Sequence, residues 1–218
     1  MVGSWWGRRP AGPHRQAMTD TIASVISNRC EPPRSGAYID TIEPATGKAY
    51  AQIPDSNADD INAAVAAAKG AFPAWAATPT QERSRLLLRL ADLIERDLEP
   101  LARAESVDSG KPIALARSVD IPRAAENFRF FATAILHSES ASHQSSLPGP
   151  DGAINALNVT LRQARGVAGL ISPWNLPLYL LTWKIAPALA TGNTAVAKPS
   201  EVTPITAYLL SKLAVEAG

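Results

Sequence analysis

Three side chains near the carboxyl end of the sequence carry donors and acceptors at a spacing that suits chemistry. Asn175 closes the polar turn Ser172-Pro173-Trp174-Asn175, which follows an apolar run. Lys198 and Glu201 bracket Pro199-Ser200 after a second apolar run, one helix later. An amide at the end of a buried strand directs a neutral N–H donor into a crevice, where it can stabilise an oxyanion while an acyl carbon is attacked. The same amide suits a helix N-cap for Leu176 onward, and spacing alone favours the cap. A lysine directly after a buried strand cannot stay buried and unpaired. It must reach solvent, a carboxylate or a ligand. Glu201 can accept from a ribose hydroxyl while Lys198 donates to another. A surface ion pair, or a glutamate near the positive end of the next helix, accounts for the couple without any ligand, and spacing alone favours that simpler reading.

These turns need elements to hold them. Val167 to Ile171 and Thr194 to Ala197 are uninterrupted apolar runs, the texture of parallel strands covered on both faces. Leu178 to Ala190 is a long apolar helix containing Pro187, closed by Gly192-Asn193. Pro204 to Ala217 is the next helix. The order is β-α-β-α, which puts both turns at the carboxyl ends of neighbouring parallel strands, where open α/β sheets bind ligands.

Upstream, Tyr38 to Glu43 and Lys48 to Ile53 read as a hairpin around Pro44-Ala45-Thr46-Gly47. Ser56 and Asn57 offer caps for a helix with the stripe Ile61, Val65, Ala68 and Phe72, ended or kinked by Pro73. Thr78-Pro79-Thr80-Gln81 fits a capping box, and Leu86, Leu90, Leu93 and Ile94 follow on one face. A short helix spans about Pro100 to Asp108, with Gly110 and Pro112 as stops. A longer one covers about Ile113 to Leu136, interrupted at Pro122, with Ala125, Phe128, Ala132 and Ile135 buried. Ser138 to Gly152 has loop composition, and Leu157, Val159 and Leu161 alternate with polar residues as in a half-exposed strand.

Composition narrows the class. The 218 residues are 46% apolar and 19% charged with net charge +1, so no basic excess argues for nucleic acid. Cys30 is the single cysteine and there are three histidines, which leaves no disulfide framework and little to ligate a metal. A reducing, cytoplasmic compartment is the default. No stretch reaches the roughly 18 apolar residues of a membrane span. Met1 to Ala17 are arginine-rich and acid-free, as in a transit segment. The simpler expectation is an overlong start, with Met18 as the true beginning.

The run Gly166-Val-Ala-Gly-Leu-Ile-Ser-Pro-Trp-Asn-Leu-Pro, with Ala190-Thr-Gly-Asn-Thr and Lys198-Pro-Ser-Glu, resembles the NAD(P)-dependent aldehyde dehydrogenase superfamily over about Tyr38 to Gly218. Ile121-Pro-Arg-Ala-Ala-Glu-Asn-Phe-Arg-Phe-Phe-Ala and Leu176-Pro-Leu-Tyr-Leu-Leu-Thr-Trp-Lys-Ile look most like its 2-aminomuconic and 2-hydroxymuconic semialdehyde dehydrogenases. The resemblance implies an α/β fold: hairpin and helical layer, oligomerisation strand, and the first half of a Rossmann-like parallel sheet. It implies that Asn175 supplies the side-chain half of an oxyanion hole, that Lys198 and Glu201 hold the adenosine ribose, and that Ile171, Ser172, Pro173 and Trp174 line the cofactor path. Arg123 would pair with a substrate carboxylate through two parallel hydrogen bonds; without the resemblance it reads as a solvated helix face. Ala156 to Arg165 matches the segment that joins subunits, so a homo-oligomer, dimer or tetramer, is implied. NAD is favoured over NADP, because Glu201 would repel a 2′-phosphate.

In the whole enzyme a cysteine thiolate attacks the aldehyde, hydride passes to the nicotinamide, and activated water releases the acid. The nucleophile and the general-base glutamate of that family have no match in this sequence, and Cys30 lies in an unrelated context. Gly166-x-x-Gly169 is not a dinucleotide fingerprint. The sequence therefore reads as an N-terminal fragment, inactive alone. The other possibility is a non-catalytic chain that associates with full-length subunits or binds nucleotide weakly. The expected segments are an N-terminal extension at 1–35, poorly ordered, the hairpin and helical layer at 36–137, loop and oligomerisation strand at 138–165, and the start of the nucleotide-binding sheet at 166–218.

Overall fold

A computed structural model describes residues 21–218. The expectations for Met18 and the transit-like start lie outside the described residues. Strands β1 (Ser24–Ile26) and β2 (Arg29–Glu31) form a small antiparallel hairpin. Its turn places Ser27 and Asn28 at positive φ, a conformation that asparagine tolerates better than most residues. Residues 21–35 were expected to belong to an extension. They are instead tied down, Ile22 N–H donating to Gln52 O at 2.9 Å. The hairpin β3 (Tyr38–Glu43) and β4 (Lys48–Pro54) follows as the turn chemistry predicts.

Helix α1 (Ala58–Ala77) starts at a reciprocal capping box: Asn57 Oδ1 accepts from the Asp59 and Asp60 amides, and Asp60 accepts from Asn57 N–H. Pro73 neither ends it nor divides it. Helix α2 (Thr80–Arg96) lacks the expected capping box: its N-cap is Pro79, with no side-chain cap bond. Thr78 Oγ1 is engaged elsewhere, donating to Ala74 O at 3.0 Å as α1 ends. The buried face of α2 runs through Arg83, Leu87, Leu90, Ala91 and Ile94; Leu90 and Ile94 are buried as expected, whereas Leu86 and Leu93 are only half-buried. Helix α3 (Leu98–Ser109) stops at Gly110, whose φ of 73° is the left-handed cap glycine allows. Short α4 (Ile113–Leu115) continues through a π-helical stretch (Ala116–Asp120) into α5 (Ile121–Ala134). Pro122 sits in the first turn of α5, directly after the π-helical stretch.

Two strands follow. The segment Ser138–Gly152, read as a loop, contains β5 (Ser142–Gly149), which pairs antiparallel with β6 (Gly152–Val159). The expected strand at 156–165 thus begins earlier and ends at Val159. Polar composition concealed β5, because a ribbon exposed along its length needs no apolar face.

The β-α-β-α order is observed: β7 (Val167–Ile171), α6 (Pro177–Ala190), β8 (Thr194–Lys198) and α7 (Ile205–Ala217), with β7 and β8 parallel. The strands are less covered than their apolar runs imply, Ile171 being 70% exposed. A two-stranded sheet consists of edges, so alternate positions stay open. The principal core joins α2, α3, α5, α6 and α7 around Phe128, Ile94, Leu101, Ile121 and Leu178. A second cluster, Ile22, Ala51, Ile53, Ala104 and Ile205, fastens the N-terminal strands to α3 and α7. No helix among the described residues is long and apolar enough to cross a membrane.

Candidate functional site

The site is built on the parallel register. Ile171 and Lys198 are paired positions at the carboxyl ends of β7 and β8. The ladder continues one step further, Ser172 N–H donating to Lys198 O at 3.2 Å. The turn with Asn175 and the turn with Glu201 therefore leave the sheet side by side. Asn193 supports the opposite end: its Oδ1 accepts from the Arg165 and Gly166 amides at 2.7 and 3.1 Å. Thr194 Oγ1 donates to Ala68 O of α1 at 2.9 Å.

Asn175 is exposed, and among the described residues its side chain forms no hydrogen bond. The capping alternative is removed, since the N-cap of α6 is Leu176 and no side chain caps it. An amide donor is thus free at the sheet edge. Around it, Trp174 is 62% exposed and Pro173 is exposed, whereas Ser172 is buried with its Oγ unpartnered. Thr203 Oγ1, in the other turn, is likewise buried and unpartnered.

Lys198 Nζ meets Glu201 Oε2 at 2.9 Å, both side chains being more than half exposed. The hydrogen bond from Lys198 holds the Glu201 carboxyl below the usual glutamate range. The couple is an ion pair, as the simpler reading had it, yet it leaves N–H donors and a carboxylate oxygen facing solvent. A donor and an acceptor side by side complement a vicinal diol. That chemistry fits a nucleotide ribose.

Arg123 is exposed on α5, its guanidinium carbon 5.3 Å from the centre of the Tyr179 ring. Tyr179 lies in the first turn of α6, directly beyond the Asn175 turn. Buried Asn127, one turn along α5, locks this joint by donating to Tyr179 O at 3.1 Å and Thr182 Oγ1 at 2.9 Å. Arg129 of the same helix is neutralised by Asp92 and Glu95, whereas Arg123 forms no ion pair among the described residues. Sequence reasoning did not single out Tyr179 or Asn127. The signal was present, as Arg123/Asn127 and Tyr179/Thr182 have helical spacings that share a face.

Cys30 lies in β2, in neither turn, with its Sγ 3.9 Å from the Tyr208 hydroxyl. No cluster of potential metal ligands occurs among the described residues.

Comparison with known proteins establishes the family and the fold. The sequence profile described as "Aldehyde dehydrogenase family" matches residues 32–218. The chain is 57% identical to 2-aminomuconic semialdehyde dehydrogenase of Danio rerio over 83% of its length and 36% of that protein. It is 42% identical to 2-hydroxymuconic semialdehyde dehydrogenase of Pseudomonas sp. (strain CF600), over 84% of its length and 37% of the relative. An aldehyde dehydrogenase from Bacillus cereus, solved as an NAD+ complex, superposes with a TM-score of 0.82 at 38% identity, covering 93% of this chain and 40% of that one. The chain thus spans little more than a third of the length of these relatives.

Proposed function

The chain belongs to the aldehyde dehydrogenase family, and on that premise we propose that its sheet edge is the amide-donor and ribose-clamp portion of a site that oxidises an aldehyde with NAD. The observation that carries the reading is the Ile171–Lys198 register, which sets the two turns side by side. Lys198 donates to one hydroxyl of the adenosine ribose and Glu201 accepts from its neighbour. Ile171, Ser172, Pro173 and Trp174 line the path. NAD is preferred to NADP because the Glu201 carboxylate repels a 2′-phosphate.

When bound, NAD supplies the hydride acceptor. The chain's own contribution is electrostatic. Asn175 holds a neutral N–H donor where negative charge develops on the carbonyl oxygen, and loss of one such donor costs about 10²- to 10³-fold in turnover. Arg123 recognises the carboxylate of an acidic semialdehyde, such as 2-aminomuconic or 2-hydroxymuconic semialdehyde. Its freedom from ion pairing leaves its donor fork open. The setting proposed is the cytoplasm, which suits a free thiol at Cys30. A homo-oligomer is favoured by the hairpin β5–β6, which presents Leu147, Ile154 and Leu157 to solvent.

The test is titration of the chain with NAD, followed by intrinsic fluorescence, Trp174 being the one of its five tryptophans that lies in the proposed path. Glu201→Gln and Lys198→Ala are expected to weaken binding, and NADP to bind less tightly than NAD. Equal affinity in all three proteins would refute the ribose assignment. In a full-length enzyme carrying this segment, Asn175→Ala is expected to lower kcat with little change in NAD affinity.

A further inference from the structure

Asp108 is 1% exposed, yet it lies on α3, outside both turns. Its Oδ2 accepts from the backbone N–H of Ile205 at 2.8 Å. Its Oδ1 accepts from the Tyr50 hydroxyl of β4. Ile205 is the first residue of α7, and the N-cap, Pro204, offers no side-chain cap. The start of a helix leaves several N–H groups without intrahelical partners. One of these is met here by the carboxyl group of a residue from a different helix. The turn that carries Glu201 therefore has two fixed ends: Lys198, laddered to β7, and Ile205, held by Asp108. Between them, among the described residues, the bonds are local, such as Thr203 N–H to Ser200 O at 3.2 Å.

We propose that Asp108 is a positioning residue for the Lys198–Glu201 couple, fixing the start of α7 and with it the turn that presents Glu201 to a nucleotide. The proposal rests on the ribose-clamp reading above. Asp108 touches no ligand; it acts through Ile205. Tyr50 holds the carboxylate in place from the far side, so β4, α3 and α7 meet at one side chain. The second buried cluster, with Ile53, Ala104 and Ile205, includes the residue whose N–H Asp108 holds, and Tyr50 packs against it.

The experiment uses the 218-residue chain. Hydrogen exchange is followed in peptides covering 199–206, with 142–159 as the internal reference, and NAD is titrated in parallel. Asp108→Ala is expected to raise exchange in 199–206 about tenfold and to weaken NAD binding about tenfold, the reference segment staying unchanged. Asp108→Asn keeps an acceptor oxygen for Ile205 and is expected to restore both to within about threefold of the wild type. Tyr50→Phe removes only the far bond and should give a smaller rise, still confined to 199–206. It carries the test if Asp108→Ala does not fold.

Unchanged exchange in 199–206, a uniform rise across all peptides, or failure of Asp108→Asn to restore the wild-type pattern would overturn the proposal. So would a loosened turn with undiminished NAD affinity where Glu201→Gln does weaken NAD. If Glu201→Gln leaves NAD affinity untouched, the ribose-clamp reading fails, and the proposal, which depends on it, falls too.

Discussion

The molecule carries charge in two contrasting settings. At the sheet edge, Lys198 and Glu201 pair in the open, with more than half of each side chain in water. Beneath α3, Lys111 lies between Asp120 at 2.6 Å and Glu105 at 3.4 Å, and both carboxylates are all but sealed from solvent. The chemistry is the same and the consequence differs. An exposed pair is screened and contributes about 0–1 kcal/mol, so its groups can turn to a ligand at little cost. A buried cluster has given up hydration, so each member depends on the others. Burial pushes Glu105 and Asp108 up, Asp108 to about 7, even though Lys111 pulls on the first and hydrogen bonds from Tyr50 and Ile205 on the second. The Tyr50 hydroxyl is also pushed up, by burial and then by the Asp108 charge.

The sharpest break of this contrast is Lys111→Met. It leaves Glu105 and Asp120 buried together without a cation, and is expected to destabilise by about 3–5 kcal/mol in urea unfolding. A loss below about 1 kcal/mol would mean that the cluster behaves like a surface pair.

The pH dependence follows in size. The native pKa of Asp108 lies above its unfolded value, so between about pH 4 and 7 the native state binds a proton that the unfolded chain has released. Stability should therefore fall as pH rises through that window, with Glu105 adding in the same direction, by at most about 1.4 kcal/mol per pH unit per group. Asp108→Asn removes one such group and should flatten the slope measured by unfolding at successive pH values. The lowered Glu201 carboxyl acts with the opposite sign, its contribution being lost as pH falls below the ordinary glutamate range.

Exposed charge should instead show in selectivity. Arg123→Ala in a full-length enzyme is expected to reduce the preference for carboxylate-bearing over neutral aldehydes about tenfold or more. Tyr179→Leu, which removes only the ring beneath the guanidinium, should reduce it about twofold to fivefold. An unchanged preference in the first variant would remove Arg123 from substrate recognition. The smallest effect is on folding at the sheet edge: Glu201→Gln should shift the urea midpoint by less than about 1 kcal/mol equivalent while weakening NAD binding.

Local chemistry was legible wherever one segment decides its own conformation. Asn57 caps α1, Gly110 and Gly192 end helices, and the apolar runs at 167–171 and 194–197 lie in strands, as their residues dictate. β5 was hidden because its residues, Ser142–Gly149, are mostly polar and exposed and show no alternating apolar pattern. The Thr78 capping box failed because the hydroxyl found a closer acceptor at the end of α1.

Residue types and order alone were enough to set the β-α-β-α arrangement, because periodicity and turn chemistry act over a few neighbours, and the motifs around Asn175, Lys198 and Glu201 were enough to carry the family resemblance. Only the folded chain decided that Leu176 rather than Asn175 caps α6, that Arg123 stacks on Tyr179, and that Asp108 reaches the start of α7. The last two are contacts between positions distant in sequence, and their energies depend on surroundings that no local pattern contains.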